Sequence, residues 1–344
     1  MESNFYAALK NVVTKHVNFK TVLGFSISAI LLWLTFYNSG LHLKDVRLNG
    51  EQVYYFAAAI VVFIFSVWFY SVRAKLFWIN SQKNQTSIHA YDSLILGNFY
   101  NCLLPGNLGE AVRAWHFSRK NKVTFSRSLA AIIAEKWIDA QMFVALAILL
   151  YLFKPFVSHY ILYSIFLTAS IVVLLSATYT FLRRNNAAER KIWRLIFRLQ
   201  KTGRVLYRLY SHTGTHIDGI KTNRCITKYV FLCCIVFFLN LLQFFFLLKA
   251  AGVAEPVCSF YTAFLVVASM MIIAFVPSAP SNIGVLHYGL YSALILAAYQ
   301  YGLSPDNKSL QSFALFGIYV HLSYIIPEVL LGTLFVIKER KIIF

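Results

Sequence analysis

The sequence predicts an all-α polytopic integral membrane protein, with about six to eight transmembrane helices and two broken, re-entrant helical hairpins. Three observations predict it. The 344 residues are 59% hydrophobic and only 13% charged, with a mean hydropathy of +0.62; a soluble domain carries about twice that charged fraction. Several apolar runs approach or exceed the roughly 20 residues that cross a bilayer as a helix. Finally, two apolar stretches are broken by one short pattern, Pro105-Gly106-Asn107-Leu108-Gly109 and Pro280-Ser281-Asn282-Ile283-Gly284. Breaking a helix at membrane depth strands backbone N–H and C=O groups, which only protein or a watery cavity can satisfy. Two such breaks in corresponding halves of a chain point to a binding site near the midplane.

Taken in order, apolar helices are expected over residues 21–41 and 53–72, joined by a short, nearly neutral loop. A mixed, basic loop follows over 73–85, and a moderately apolar stretch, 88–104, runs into the first break. Beyond the break a basic segment carries Arg113, Arg119, Lys120, Lys122 and Arg127, and helices are expected over 128–153 and 156–182. Residues 183–228 are the most hydrophilic of the chain. Their apolar residues recur at helical spacing (Ile192, Leu195, Ile196, Leu199, then Val205, Leu206, Leu209) among many Lys and Arg. That pattern fits a basic amphipathic helix on an anionic membrane face, or a solvated connector that sets topology. The second half offers 229–248, then 258–275 into the second break, 286–301 out of it, and 312–337 before a basic end. The domain organisation expected is therefore an N-terminal membrane half, 1–182, with its hairpin at about 88–127; a basic cytoplasmic connector, 183–228; and a C-terminal membrane half, 229–344, with its hairpin at about 258–302.

The basic segments include the N-terminus, the 73–85 loop, the stretch after the first break, the connector and the C-terminus. By the positive-inside rule these face the cytoplasm, so both termini are expected there, in a multi-pass protein of the cell (plasma or inner) membrane. The first hairpin then enters and leaves on the cytoplasmic side. The second lies between loops of little net charge, as a hairpin from the opposite face or as a full double crossing. If both are re-entrant, they form the inverted repeats of a transporter-like fold. Lys10, Lys15 and Lys20 precede the first apolar run without a small-residue cleavage site, which reads as a retained first helix. Trp33, Trp68, Trp78 and Tyr70 read as residues of the interfacial belt, and Pro327 as a kink or a small break in the last helix.

The densest chemistry lies between Asn98 and Asp139. A helix starting after the first break presents free N–H groups and a positive dipole end, a ready anion site. Glu110 and Arg113 share a helix face, as do Glu135 and Asp139. Charges at membrane depth are costly and are paired or functional. Arg113 and the helix end can receive a lipid phosphate while Glu110, Glu135 or Asp139 balances Arg113 or binds a cationic headgroup or a proton. Alternatively, these groups form a salt-bridge cluster that locks the hairpin to the next helix. The second break is nearly uncharged, followed by His287, with His321 and Glu328 in the last helix. Histidine titrates near neutral pH and suits proton coupling; in an apolar helix it equally suits hydrogen-bonded packing.

A net charge of +19 belongs here to cytoplasmic loops meeting anionic lipid, and no nucleic-acid recognition module accompanies it. The five cysteines show no metal-ligand or redox spacing, and Cys233 and Cys234 read as small hydrophobes within an apolar helix. No zinc-protease, nucleophile-elbow, phosphate-loop or dinucleotide signature is present, so neither enzymatic activity nor a cofactor is expected.

At these residues the chain resembles the transmembrane, flippase-like domain of lysylphosphatidylglycerol synthases, as a stand-alone member. The resemblance rests on Asn98 and Asn101, on Pro105, Gly109, Glu110 and Arg113, on Glu135, Lys136 and Asp139, and more loosely on Pro277, Pro280 and Gly284. Lys136 stands where the family has Arg, His287 where it usually has Glu, and His321 where Arg is common. The soluble aminoacyl-transfer domain of full-length synthases is not part of this sequence, so the resemblance implies lipid binding or translocation rather than synthesis of a lysyl-lipid. The substrate-binding residues expected are those named other than Pro277, together with Asn282, His287 and His321. The expected partners are membrane lipids, an anionic phospholipid or a polyprenyl-phosphate type. The alternative function is a non-transporting scaffold or accessory subunit of a separate lipid-modifying or glycan-assembly enzyme.

Overall fold

The computed structural model describes residues 19–41, 49–76, 87–104, 108–153, 159–222, 225–273 and 278–343. Among these, every regular element is helical. In chain order they are α1 (Phe19–Ser39), α2 (Gly50–Lys75), α3 (Ser87–Leu103), α4 (Gly109–Lys120), α5 (Phe125–Phe153), α6 (His159–Arg184), α7 (Asn186–Ile196), a 3₁₀ turn (Phe197–Leu199), α8 (Lys201–Thr222), α9 (Cys225–Ala250), α10 (Phe260–Ile273), a second 3₁₀ turn (Pro280–Asn282), α11 (Val285–Gln300) and α12 (Asn307–Ile343). Among the described residues, five stretches are long and apolar enough to cross a membrane: Val22–Ser39, Gly50–Lys75, Ile226–Ala250, Pro280–Gln300 and Asn307–Lys338. The all-α membrane architecture expected from composition is what the chain adopts.

Local chemistry explains the ends. Asn49 and Gln52 exchange hydrogen bonds between each side-chain oxygen and the other's backbone N–H (2.8 and 3.1 Å), the reciprocal box that starts α2. Asn185 Oδ1 accepts from the Ala187 and Ala188 N–H groups to start α7, and Asp306 Oδ1 accepts from Ser309 N–H ahead of α12. Two expectations change. The second helix does not stop at Val72; it continues through Arg73 to Lys75, because that arginine finds buried partners. The connector is not one amphipathic helix but two, α7 and α8, parted where Gln200 takes a left-handed conformation (φ 49°). Pro327 lies within α12, which runs on through it.

The chain forms two compact units, one of residues 1–64, 98–109 and 239–344, the other of 65–97 and 110–238. In the first, α11 packs against α1, α10 and α12. It is 56% buried over its apolar window, against 22–28% for the other candidate spans, which makes it the central helix of that unit. Its small residues Ala293, Ala297 and Ala298 and the fully buried Leu290 and Leu294 allow that close packing. In the second unit α5 packs on α8 and α6, over a core of Ala90, Phe117, Ala131, Ala134, Ile217, Tyr229 and Cys233.

Candidate functional site

In the second unit the charged residues of the sequence motif resolve into one alternating chain of charge. Asp139 pairs with Arg73, Arg73 with Glu135, Glu135 with Arg113, Arg113 with Glu110, and Glu110 with Lys136. The strongest link is bidentate: Arg73 Nη1 lies 2.7 Å from Asp139 Oδ1 and its Nη2 2.8 Å from Oδ2. Glu135 divides its oxygens, Oε1 at 3.4 Å from Arg73 and Oε2 at 3.0 Å from Arg113. Glu110 does the same, with Oε2 at 3.4 Å from Arg113 and Oε1 at 3.1 Å from the Lys136 ammonium. Three cations thus meet three carboxylates, the balance that a low-dielectric interior demands.

Helical spacing assembles the cluster. Tyr70 and Arg73 are three apart on α2, Glu110 and Arg113 three apart on α4, Glu135 and Asp139 four apart on α5, and Tyr229 and Cys233 four apart on α9. Each pair therefore shares one face of its helix. The Tyr70 ring lies 4.3 Å from the Arg73 guanidinium, 5.5 Å from that of Arg113 and 5.7 Å from the Lys136 ammonium, a shared cation–π platform. Tyr229 donates to Asp139 Oδ1 at 3.5 Å, and Arg73 Nη1 donates to the Cys233 sulfur at 3.4 Å.

The cluster is closed at its centre and open at one end. The side chains of Arg73, Glu135 and Arg113 are 3–6% exposed, whereas that of Lys136 is 54% exposed and that of Glu110 26%. Beside Arg113 and Glu135 the cavity is only about 10 Å³, room for one water at most. A lipid phosphate cannot reach Arg113 there, and both of its Nη atoms are already engaged by carboxylates. Lys136 is the cation that the cluster presents outward.

The residues around the two breaks gather in the first unit. Pro105 and its neighbours Gly106 and Asn107, like Pro277, lie outside the described residues. Asn98 is half-buried on α3, and Asn101 Oδ1 accepts the Gly109 N–H at 2.7 Å. The first backbone donor at the start of α4 is therefore capped from α3 rather than offered to an anion. At the second break, Ser281 and Asn282 are left-handed (φ 59° and 55°), and Pro280 opens the 3₁₀ turn. Asn282 Oδ1 accepts from Ser278 at 2.5 Å, and the Ala279 N–H donates to Ser28 Oγ of α1 at 2.9 Å. Gly284 has φ +81°, and a Cβ there would lie 1.9 Å from the Ser28 carbonyl oxygen; only glycine fits. Its N–H donates to His287 Nδ1 at 3.3 Å, and the His287 ring stacks on His321 with centroids 5.0 Å apart. At the end of α3 the Cys102 thiol donates to Glu328 Oε2 at 3.1 Å, with Ser281 of the second break also within hydrogen-bonding reach of that thiol. The end of α3 and the second break thus contribute to one polar cluster within this unit.

Arg73, Tyr70, Tyr229 and Cys233 were not anticipated as site residues. Tyr70 is not a belt residue, because its hydroxyl is buried; Trp33 and Trp68 are 60% and 51% exposed, and Trp78 lies outside the described residues. Cys233 is an acceptor as well as a small packing group. One signal was available: the motif holds three carboxylates but only two cations, Arg113 and Lys136, which leaves a carboxylate in need of a third.

The family model for the lysylphosphatidylglycerol synthase TM region matches residues 21–307. The chain belongs to this family. It is also similar to a UPF0104 membrane protein of Pyrococcus horikoshii, 22% identical over 341 residues that cover 94% of this chain and 97% of the relative. No solved structure matches it. The match takes in both breaks, the whole ion cluster and the His287 segment; His321 and Glu328 fall beyond it.

Proposed function

We propose that this protein binds a phosphate-bearing membrane lipid at the open end of the ion cluster and moves its headgroup across the bilayer, as a flippase-like transporter without enzymatic activity of its own. The observation that carries this reading is the position of Lys136, exposed while paired to Glu110 at the end of an otherwise buried, charge-balanced chain. A lipid phosphate that displaces Glu110 from Lys136 exchanges one anionic partner for another and leaves the arginines paired. The buried part of the chain then holds α2, α4 and α5 in register while the end exchanges. The anion is an anionic phospholipid or a polyprenyl-phosphate-type lipid. The Lys and Arg distribution orients both termini toward the cytoplasm of the cell membrane.

The test is reconstitution of the full chain into liposomes containing fluorescent phosphatidylglycerol, with lipid retention measured on the purified protein by native mass spectrometry. Retention and movement are expected, with retention reduced in Lys136→Gln. A protein that neither retains nor moves phosphatidylglycerol or a polyprenyl phosphate overturns the reading. The small central cavity favours a second reading, a non-transporting scaffold for a lipid-modifying enzyme. Retention of lipid without movement, together with co-purification of a partner enzyme, supports that reading instead.

A further inference from the structure

The connector folds back on itself for a reason visible in its backbone. α7 ends at Ile196, the 3₁₀ turn and the left-handed Gln200 reverse the chain, and Gly203 comes so close that a Cβ there would lie 2.3 Å from the Ile196 carbonyl oxygen. The return of α8 brings Tyr207 and Tyr210 onto Trp193 of α7, at centroid distances of 5.1 and 5.2 Å. These rings leave a cavity of about 520 Å³ lined by Glu189, Arg190, Trp193, Arg194, Phe197 and Tyr207. Trp193 is 8% exposed, and its indole N–H, on this lining residue, has no hydrogen-bond partner. A buried indole N–H ordinarily has one.

The surroundings specify what fits. Residues 186–222 hold eight Lys or Arg and two acids. Exposed beside them are Ile192, Phe197, Val205, Leu206 and Tyr207, 39–52% accessible, the mixture that partitions into a headgroup layer. The apolar span Ile226–Ala250 begins four residues after Thr222, which keeps the end of α8 near a membrane face. We propose that the α7–α8 hairpin is a docking site for the headgroup of an anionic phospholipid of the surrounding membrane. Arg190 and Arg194 hold the phosphodiester, the Trp193 N–H donates to one of its oxygens, and the exposed apolar residues meet the acyl chains. Glu189 stands in the same lining, so the site favours a singly charged phosphodiester over a phosphomonoester or polyphosphate, whose extra charge it repels. This site is separate from the ion cluster and does not rest on the transport reading.

The test uses the full chain purified in a non-ionic detergent and offered equal amounts of phosphatidylglycerol and phosphatidylcholine, with bound lipid counted by native mass spectrometry. Wild type is expected to retain phosphatidylglycerol preferentially. Arg190→Gln/Arg194→Gln should weaken that retention by at least about tenfold, and Trp193→Phe, which keeps the ring packing, by about threefold. Lys249→Gln, which removes a basic side chain outside both sites, should leave this lipid in place. Equal retention of the two lipids by wild type overturns the proposal, as does undiminished phosphatidylglycerol binding in the double-arginine variant. Loss in Lys136→Gln alone assigns the lipid to the ion cluster and overturns it too. Displacement by millimolar inorganic phosphate shows a free-anion site and equally overturns the lipid assignment.

Discussion

The ion cluster and the second break solve the same problem, polar groups at membrane depth, with opposite means. Around Glu135 the fold brings charges from three helices and cancels each against another. Around Gly284 it uses backbone: left-handed residues, a close approach to Ser28, single N–H donations to Ser28 and His287, and one hydrogen bond from Ser278 to Asn282. Charge pairing specifies which helices meet but carries a desolvation cost that a missing partner exposes. Backbone satisfaction carries no such charge cost, yet it depends on the one residue type that the geometry admits. The first region should therefore be sensitive to charge and tolerant of small changes in shape, and the second the reverse.

The largest effect should come at Glu135, whose two oxygens serve two buried arginines. Glu135→Ala leaves Arg73 with Asp139 and Arg113 with Glu110 only, and is expected to destabilise by about 3–5 kcal/mol. Thermal unfolding of the purified chain measures it. Arg113→Met in the same background should be much less damaging than the two single changes sum to, because the pairs Arg73–Asp139 and Lys136–Glu110 both remain and no charge is left over. Full additivity of the two changes would remove the argument that these charges form one connected chain.

At the second break the expected ranking reverses. Gly284→Ala forces a Cβ into the Ser28 carbonyl at a positive φ and should cost about 3 kcal/mol or slightly less, since overpacking and backbone strain add. His287→Phe keeps a ring against His321 but removes the acceptor for the Gly284 N–H, worth about 1 kcal/mol. If Gly284→Ala unfolds at the wild-type temperature, the close approach to α1 is not what holds the break.

Much of this contrast could be read from the sequence. Pro-x-Asn-Leu/Ile-Gly marked both breaks, and the spacing of Glu110 with Arg113 and of Glu135 with Asp139 placed each pair on one face. Two things were hidden. Arg73 sits at the end of an apolar run, where the local pattern reads as the start of a basic loop; only tertiary pairing with Asp139 shows that the helix continues. Tyr70 and Tyr229 look like any aromatic in a membrane helix until the cations arrive from elsewhere in the chain. The polar character of the second break was also underestimated, because Cys102 and Glu328 lie 226 residues apart and no local signal joins them. Helical periodicity reports faces within an element, and long-range partners leave no such trace.

Lys136 tests where structure ends and exchange begins. Lys136 is itself more than half exposed and Glu110 keeps Arg113 as a partner, so Lys136→Gln should change stability by less than about 1 kcal/mol. That is the smallest effect in the cluster, although Lys136 adjoins the residue expected to give the largest. The Tyr70 platform should hold its position, since Arg73 and Arg113 still cover the ring. Lipid retention is the measurement that separates the two roles. If Lys136 only completes the charge balance, retention follows stability and barely moves. If it is the partner of a lipid phosphate, retention falls by about tenfold or more at unchanged melting temperature, the loss of one charge-assisted hydrogen bond. Lys136→Arg should then keep most of the retention, because the positive charge stays at the open end of the cluster.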